Sequence, residues 1–378
     1  MAAVSRSTLR LLIAALALVS IACDPVVVPP TSSGTAGPSA SPSGPGPSTS
    51  GGPTDVPTDI PTDPIGPVVS WSPLTPAGDG PAARSGHTWN GDPAAAQAYL
   101  FGGDGGTGVL GDLWTYDLSS DTWERIETIG PAPPARTQHT AVWVDDVGLI
   151  VVGGRGASGA PLADAWRFNL SSGTWSPLQA GGSTPPARSG ACMAAAPDGR
   201  IWVTHGRAAD DTLLADTWVF DPVTTTWSDA TPAGDQAPAR AGHACLWTDD
   251  GRLAIHGGTT AAGPTGDVWA LTAPGTPEAA WALGPDQETP IRSDGAVALS
   301  SDRAVVAGGV GPDGAGLDDV IAFDAAALTV TTFGPGSGGP GRWSDAALVD
   351  DPASERMVAF GGVVGDAVSA GLWQLELP

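Results

Sequence analysis

Lysine is absent from this chain of 378 residues, and tyrosine, methionine and cysteine are scarce, with two, three and three copies. The basic side chains are therefore all arginines, 16 against 40 acidic residues, and the formal net charge is −24. A charge of this sign and size repels nucleic acids and anionic membrane surfaces. We therefore expect neither of them to be a partner.

The apolar run at the start of the chain is too short to cross a membrane. Two arginines precede the apolar stretch 11–19, and the small-residue segment 20–22 ends it before Cys23. A membrane span needs about 20 apolar residues, so residues 1–22 are interpreted as an export signal peptide. Cleavage before Cys23 resembles the lipobox of bacterial lipoproteins, which implies a lipid on Cys23. Ordinary cleavage without a lipid is the alternative.

Residues 23–67 are dominated by Pro, Ser, Thr and Gly. Such a segment lacks the apolar groups that would offset the entropy lost on ordering. It is therefore predicted to be a disordered tether with polyproline character between the signal peptide and a folded domain at 68–378.

Arginine recurs at an almost constant interval through that domain, 52 residues four times and then 50, at Arg84, Arg136, Arg188, Arg240, Arg292 and Arg342. A period of this length indicates one structural unit copied six times, in which each copy buries its faces against its neighbours.

Each copy contains four short apolar or aromatic segments separated by Asp, Asn and Gly, which predicts four strands joined by tight turns. The second segment ends in a glycine pair in five copies: Gly102-Gly103, Gly153-Gly154, Gly257-Gly258, Gly308-Gly309 and Gly361-Gly362. The third copy has His205-Gly206 instead. The third segment follows an acid, namely Asp112, Asp164, Asp216, Asp267 or Asp319.

The sixth copy ends without a fourth strand, whereas an additional one stands at the start of the domain. The segment around Trp71 copies the one around Trp175, and Trp71 precedes Trp123 by one full period. We therefore expect the first strand to complete the last copy. Such closure removes exposed sheet edges.

Glycine pairs, an aromatic residue and a tryptophan seven positions later resemble the Kelch motif over 68–378. The resemblance implies an all-β fold, a six-bladed β-propeller of four-stranded blades around a central channel. The copper radical oxidases of this class need two tyrosines, two histidines and a cysteine linked to one tyrosine. Only Tyr99 and Tyr116 occur here, and both lie in repeat strands, so that chemistry is not expected.

The resemblance places the repeated arginine near one mouth of the channel, with the following residue facing a ligand. The candidate ligand-binding residues are Arg84, Ser85, Arg136, Thr137, Arg188, Ser189, Arg240, Arg292, Ser293, Arg342 and Trp343. Arginine offers a planar fork of donors that suits a carboxylate or phosphate. Pairing of the same arginines with the recurring aspartates is the structural alternative.

Cys192 and Cys245 lie in adjacent copies, at positions that face opposite sides of their own sheets. They are predicted to meet across one gap between copies, either as a disulfide or as two free thiols. His87, His139 and His243 occupy equivalent positions spread around the channel. Because metal ligands must lie about 2 Å from one shared ion, we expect no metal site, and no cofactor.

Together these features favour an exported binding or scaffold module. It is expected to be a lipid-anchored monomer on the bacterial outer membrane or cell surface, or otherwise periplasmic or secreted. The expected partner at the mouth is an envelope or extracellular protein or a glycan. The alternative is a sugar-acting enzyme similar to the periplasmic Kelch epimerases. In that case the arginines would hold an anionic sugar and Asp294 or Asp345 would supply the channel acid.

Overall fold

A computed structural model describes residues 67–378 apart from 93, 179–180, 249, 286–288, 300–302 and 325–326. The expected signal peptide, Cys23 and the tether up to residue 66 lie outside the described residues. The described part consists of strands and turns, and it contains no helix that could span a membrane. The all-β class expected from the repeat is confirmed.

Thirty strands follow one another along the described chain. The first fifteen are β1 (Val68–Pro73), β2 (Thr88–Asp92), β3 (Gln97–Phe101), β4 (Leu113–Asp117), β5 (Thr122–Ile126), β6 (Arg136–Thr137), β7 (Thr140–Val144), β8 (Gly148–Val152), β9 (Arg155–Gly156), β10 (Ala165–Asn169), β11 (Thr174–Pro177), β12 (Cys192–Ala195), β13 (Ile201–Arg207), β14 (Leu213–Asp221) and β15 (Thr226–Asp229). The remainder are β16 (Arg240–Ala241), β17 (Ala244–Trp247), β18 (Leu253–His256), β19 (Thr259–Thr260), β20 (Gly263–Pro264), β21 (Val268–Thr272), β22 (Ala280–Leu283), β23 (Ala296–Leu299), β24 (Ala304–Ala307), β25 (Val320–Asp324), β26 (Thr329–Ser337), β27 (Trp343–Asp351), β28 (Arg356–Val364), β29 (Ala367–Val368) and β30 (Leu372–Glu376).

Most of these strands form antiparallel runs of four, which we call units 1 to 6. Units 1 to 4 are separate sheets, β2-β3-β4-β5, β7-β8-β10-β11, β12-β13-β14-β15 and β17-β18-β21-β22. Units 5 and 6 are the runs β23-β24-β25-β26 and β27-β28-β30-β1 within one nine-stranded sheet. The short strands β6, β9, β16, β19, β20 and β29 extend the loops beside the units.

The strand that precedes unit 1 along the chain completes unit 6. β1 pairs antiparallel with β30, so that Trp71 lies opposite Leu375 and Pro73 opposite Trp373. The same strand runs parallel to β26 and joins units 5 and 6 into one sheet. This is the pairing that the early copy of the repeated tryptophan segment indicated.

The second strand of a unit is apolar at nearly every position rather than alternating. In β3 all residues from 98 to 101 are fully buried, and β8 is buried throughout. A strand in the middle of a sheet that is covered on both faces has no side exposed to water, which explains the continuous apolar sequence. In the outer strand β5 only Trp123 is buried, and Glu124 and Arg125 are exposed.

The apolar core is divided among the gaps between neighbouring units. Phe101 of unit 1 packs with Phe168 and Trp175 of unit 2, and Trp89 of unit 1 packs with Phe360 of unit 6. Burying one such side chain contributes about 1.5–3 kcal/mol. Each unit is thus stabilised on both faces by its neighbours, as expected for stacked repeats.

Candidate functional site

Five of the six repeated arginines are buried and bound to a carboxylate of their own unit. In unit 1, Nη1 and Nη2 of Arg84 donate to the two carboxylate oxygens of Asp112 at 2.7 and 2.8 Å. Nη1 also donates to the Gly102 carbonyl at 2.9 Å, and Nε donates to the Ala82 carbonyl at 3.0 Å. Trp114 Nε1 donates to Asp112 Oδ2 at 2.6 Å. The guanidinium is fully buried and donates four hydrogen bonds, two to the carboxylate and two to backbone carbonyls.

The same arrangement recurs along the chain, with arginine–aspartate pairs Arg136–Asp164, Arg188–Asp216, Arg240–Asp267 and Arg292–Asp319. A tryptophan joins each of the first three of these pairs, namely Trp166, Trp218 and Trp269. Unit 5 has Ile321 at that position, and there Arg292 Nε and Asp319 Oδ1 are buried without a hydrogen-bond partner in the described part of the chain.

These contacts also set the protonation state of the aspartates. Burial alone would raise the pKa of Asp112, but hydrogen bonds from Arg84 and Trp114 and the arginine charge outweigh burial and lower it. The pKa values of Asp164, Asp216 and Asp267 are lowered for the same reasons. The arrangement in the structure is therefore the pairing alternative: the five guanidiniums are committed to carboxylates of the fold and are not presented to a ligand.

Unit 6 departs from the arginine pattern at both ends of the pair. Arg342 is exposed. Trp343 takes the position that the buried arginine has in the other units. Its carbonyl accepts a hydrogen bond from Gly309 N–H, just as the Arg136 carbonyl accepts one from Gly103 N–H. Gly371 stands where the other units carry the aspartate. Trp343 is 2% exposed and packs edge-on against Trp71 at 5.9 Å. The prediction from spacing is therefore wrong for both residues. Arg342 is not one of the buried, repeated arginines, and Trp343 does not follow one.

Six backbone hydrogen bonds form a closed ring in which each unit contributes one residue. The N–H groups of Gly86, Asp345, Asp294, Gly242, Gly190 and Gln138 donate respectively to the carbonyls of Asp345, Asp294, Gly242, Gly190, Gln138 and Gly86, at 2.8–2.9 Å. All six residues have positive φ, between 51° and 68°. Each lies two positions after the arginine, or after Trp343 in unit 6, a regularity present in the sequence that spacing alone did not single out.

A cavity of about 440 Å³ opens beside this ring, between the loops of units 1 and 2. Two of the residues that follow the arginines, Ser85 and Thr137, line it together with Gln138, Arg155 and Asp345. The other two hydroxyl followers, Ser189 and Ser293, are buried. The polar lining of this mouth therefore comes from ring and loop residues rather than from the repeated arginines.

Arg155 occupies the wall of that cavity through contacts with unit 3. Its Nη2 donates to Asp211 at 3.0 Å, and its Nε donates to Ser189 Oγ at 3.1 Å. This arginine is a quarter exposed, so part of its guanidinium faces solvent at the mouth.

Two half-buried carboxylates lie next to each other in the ring. Asp345 N–H donates to the Asp294 carbonyl at 2.9 Å, and among the described residues neither side chain forms an ion pair within 4.0 Å. Burial, and then repulsion from Asp345, raises the pKa of Asp294 to about 7, against hydrogen bonding by Ser293 and the charge of Arg207. Burial likewise raises the pKa of Asp345. Such a pair holds a proton close to neutral pH.

A second cavity, of about 680 Å³, runs between the first strands of all six units and forms the central channel. His87, His139 and His243 stand in its wall, and all three are buried. His139 Nε2 lies 2.8 Å from the Thr88 hydroxyl, and its ring covers Gly102 so closely that a Cβ there would meet Cε1 at 2.9 Å. The histidines thus pack between units, and the described residues hold no cluster of three or more His, Cys, Asp or Glu that could bind a metal.

Cys192 and Cys245 form a disulfide in the wall of the same channel, with their Cα atoms 5.9 Å apart. The bond joins the first strands of units 3 and 4, which is the gap in which the two cysteines were expected to meet. Of the alternatives left open by the sequence, the structure contains the disulfide rather than two free thiols.

Parts of several known proteins are similar to this chain. The chain is 34% identical over 168 residues to human multiple epidermal growth factor-like domains protein 8, covering 42% of this chain and 6% of that protein. It is 28% identical over 203 residues to the Rab9 effector protein with kelch motifs of Xenopus laevis, covering 50% and 54%. It is 26% identical over 283 residues to acyl-CoA-binding domain-containing protein 5 of Arabidopsis thaliana, covering 71% and 43%. The match covers less than two thirds of each of these relatives.

A family model agrees with the repeat seen in the structure. The model of the KLHDC2/KLHL20/DRC7 Kelch-repeats domain matches residues 68–258, which is just over half of the chain. This range begins at β1 and contains units 1 to 3 with three of the buried arginine–aspartate pairs. The chain belongs to the Kelch-repeat family.

Proposed function

We propose that this chain is a six-bladed Kelch propeller that binds a partner protein, or a glycan, at the mouth beside the backbone ring. Kelch repeats typically mediate interactions between proteins, and the Xenopus relative is named as an effector of Rab9. Both facts favour a protein as the partner.

The six-bladed arrangement is supported by the cyclic order of the ring hydrogen bonds. A closed cycle of six donors and six acceptors, one from each unit, requires every unit to stand between two others. The pairing of β1 with β30 closes the same circle on the outside. In this proposal the units are the blades and the first strands surround the channel.

The observation that carries the binding proposal is the commitment of all five buried arginines to aspartates. A mouth built for catalysis on an anionic sugar would keep guanidiniums available, whereas here they fasten strands of one unit to each other. The result is a rigid frame that presents short loops and polar side chains, which is how scaffolds carry binding residues.

We further propose that the domain is exported and held at the bacterial envelope by a lipid on Cys23. The Cys192–Cys245 disulfide supports an oxidising compartment, because structural disulfides persist there and are rare in the cytosol. The net charge of −24 supports solubility outside the cell. Mass spectrometry of the membrane fraction tests the anchor: a diacylglyceryl group on Cys23 supports it, and an unmodified mature N-terminus contradicts it.

The binding proposal is tested with variants at the two ends of the channel. The mature chain is immobilised, its partner is identified by capture from envelope proteins and a glycan array, and the affinity is then measured. Gln138→Ala with Arg155→Ala, at the mouth, is expected to weaken binding at least tenfold. Arg200→Ala removes an exposed arginine at the opposite end, in the turn between β12 and β13, and is expected to change affinity less than twofold. Equal effects of both would contradict binding at the mouth.

The acid pair in the ring favours a second candidate function, a sugar-acting enzyme. A carboxyl group whose pKa is raised to about 7 suits general acid–base chemistry at neutral pH. Arg155 would then hold the anionic sugar in place of the repeated arginines. Conversion of uronic or sialic acid sugars, followed by NMR and abolished in Asp294→Asn, would establish this function. No conversion in the wild type would leave the binding module.

A further inference from the structure

One gap between neighbouring units differs from the others in its chemistry. Between units 3 and 4 the disulfide Cys192–Cys245 lies in the same gap as a pair of imidazoles, His205 and His243, whose ring centres are 5.4 Å apart. Both histidines are buried, and neither ring nitrogen of His243 has a hydrogen-bond partner among the described residues.

His205 occupies the position at which the other five units carry the first glycine of the glycine pair. It has a φ of +57°, its Nδ1 lies 2.6 Å from the Thr204 hydroxyl, and its carbonyl accepts from Arg188 Nη1 at 2.9 Å. In the gap between units 1 and 2 the equivalent histidine, His139, covers Gly102. The gap between units 3 and 4 therefore holds two imidazoles where that gap holds one.

The surroundings of this pair favour its neutral form. Burial is the main cause that lowers the pKa of His205, to about 3, and the charges of Arg240 and Arg188 act in the same direction. The Ala237 backbone and the charge of Asp216 act in the opposite direction, and Asp216 is itself bound by Arg188. Burial, then His205 and Arg240, lower the pKa of His243 well below its ordinary value. Protonation of either ring is therefore unfavourable while the gap is closed.

Apolar packing that includes Trp202 and Trp281 holds the two units together, and few hydrogen bonds join their first strands. β12 and β17 belong to different sheets and share no ladder hydrogen bonds. The backbone bond from Gly242 to Gly190, at 2.9 Å, links them within the ring. The disulfide adds a covalent link between the two strands and faces the channel, where Cys192 is only half-buried.

We propose that the Cys192–Cys245 disulfide is a redox-controlled crosslink that prevents acid from separating units 3 and 4. While the bond is intact, units 3 and 4 stay closed in acid. Once a dithiol has reduced it, protonation of His205 and His243 opens the channel wall between them.

The reduction is ordinary thiol–disulfide exchange. One thiolate of the dithiol attacks a cysteine sulfur, the S–S bond breaks, and a mixed disulfide forms. The second thiolate of the dithiol then displaces the remaining cysteine. Two electrons pass to the cystine, both cysteines end as thiols after taking up two protons, and the dithiol becomes a cyclic disulfide.

The expected size of the effect follows from the ordinary pKa of histidine. In an open gap each imidazole titrates near its ordinary pKa of about 6.5, so at pH 5.5 protonation favours the open state about tenfold for each ring. Two rings together favour it about 100-fold, compared with about tenfold for the single His139 in the gap between units 1 and 2.

Hydrogen exchange measured by mass spectrometry on the mature chain tests this proposal. Protein reduced with dithiothreitol at pH 8 and kept without oxygen is compared with oxidised protein at pH 7.5 and 5.5, after correction for intrinsic exchange. In reduced protein, acid is expected to raise opening of 192–195 and 244–247 about 100-fold, and of 140–144 no more than tenfold. In oxidised protein those two segments are expected to change less than threefold. The variant Cys192→Ser with Cys245→Ser is expected to behave as reduced protein.

His205→Gly separates the histidine pair from other effects of acid, because it restores the residue that the other units carry. In the reduced variant the acid effect on 192–195 is expected to fall from about 100-fold to about tenfold. An unchanged 100-fold effect overturns the proposal. So does equal opening of the oxidised protein, or acceleration that is uniform over all strands.

Discussion

Arg356 of unit 6 donates through Nη2 to Asp121 Oδ1 of unit 1 at 2.8 Å, across 235 positions of the sequence. The same nitrogen donates to the Leu118 carbonyl at 2.8 Å, and Nε donates to Asp351 at 2.9 Å. This contact lies where the last unit meets the first, and Asp351 is only 2% exposed. The circle of units is thus held by an ion pair on one side of the junction and by β1 within unit 6 on the other.

Loss of this ion pair is expected to destabilise the whole domain. Arg356→Met leaves Asp351 buried without its cation, which costs about 3–5 kcal/mol in the free energy of unfolding. Arg125→Met is the matched control, because its partner Glu127 and Arg125 itself are both mostly exposed, and such pairs contribute about 0–1 kcal/mol. Urea unfolding followed by tryptophan fluorescence measures both. Equal midpoints for the two variants would refute a role in closure.

Replacing Arg136 and replacing Arg342, which both belong to the regular arginine spacing, are expected to lower the free energy of unfolding by very different amounts. Arg136→Met leaves Asp164 partly buried and unpaired and is expected to cost about 3 kcal/mol. Arg342→Met replaces an exposed side chain and is expected to change the free energy of unfolding by less than about 0.5 kcal/mol. Denaturant titration of both variants checks this. A large loss for Arg342→Met would show that unit 6 also uses its arginine.

The buried histidines predict loss of stability in acid. Burial lowers the folded-state pKa of His87 to about 3 and of His256 to about 4, whereas the unfolded chain titrates near the ordinary value of 6.5. The unfolded state then binds more protons, so stability present above pH 6.5 is lost as the pH falls toward the folded value. Each histidine contributes about 1.4 kcal/mol per pH unit.

His256→Leu isolates one such contribution. Relative to wild type, its free energy of unfolding is expected to improve by about 1 kcal/mol between pH 6.5 and pH 5.5, because the unfolded histidine is already half protonated at pH 6.5. Urea midpoints at the two pH values give this difference directly. A constant difference between variant and wild type would mean that His256 has the same pKa in the folded and the unfolded protein.

The carboxylate pair Asp294 and Asp345 predicts the opposite effect of pH on stability, a loss as the pH rises. Because the folded pKa of Asp294 is raised to about 7, the folded state holds a proton that the unfolded state releases, and its stabilisation is lost as the pH rises through 7. Asp294→Asn removes this loss. Its gain over wild type is expected to grow by about 1–3 kcal/mol from pH 5 to pH 8. Thermal unfolding across that range measures the gain. A gain that shrinks with rising pH would show an ionised, stabilising Asp294.

Much of the fold was predictable because the chain repeats itself. The regular Arg spacing and the early copy at Trp71 led to the four-stranded units and to the pairing of β1 with β30. Repetition is a strong signal, since each copy must satisfy the same packing against its neighbours. The same regularity misplaced Arg342: a period counted in residues does not show that Trp343 has moved into the buried position.

The site was less predictable for a physical reason. Whether Arg188 binds a ligand or Asp216 depends on distances between strands that are 28 residues apart, which spacing does not supply. The ring residues Gln138 and Asp294 have no distinctive motif, and their shared positive φ appears only in three dimensions. The export signal and the lipid on Cys23 lie outside the described residues and stay predictions.

By itself the sequence determined the class of fold, the period, the closing strand and a strongly negative net charge, because these follow from composition and repetition along the chain. Tertiary structure alone decided which polar side chains are paired with each other inside the protein and which line the mouth of the channel. That choice depends on burial: a guanidinium out of water must be paired, so Arg84 binds Asp112. Asp294 and Asp345 form no ion pair with the described residues where the units converge.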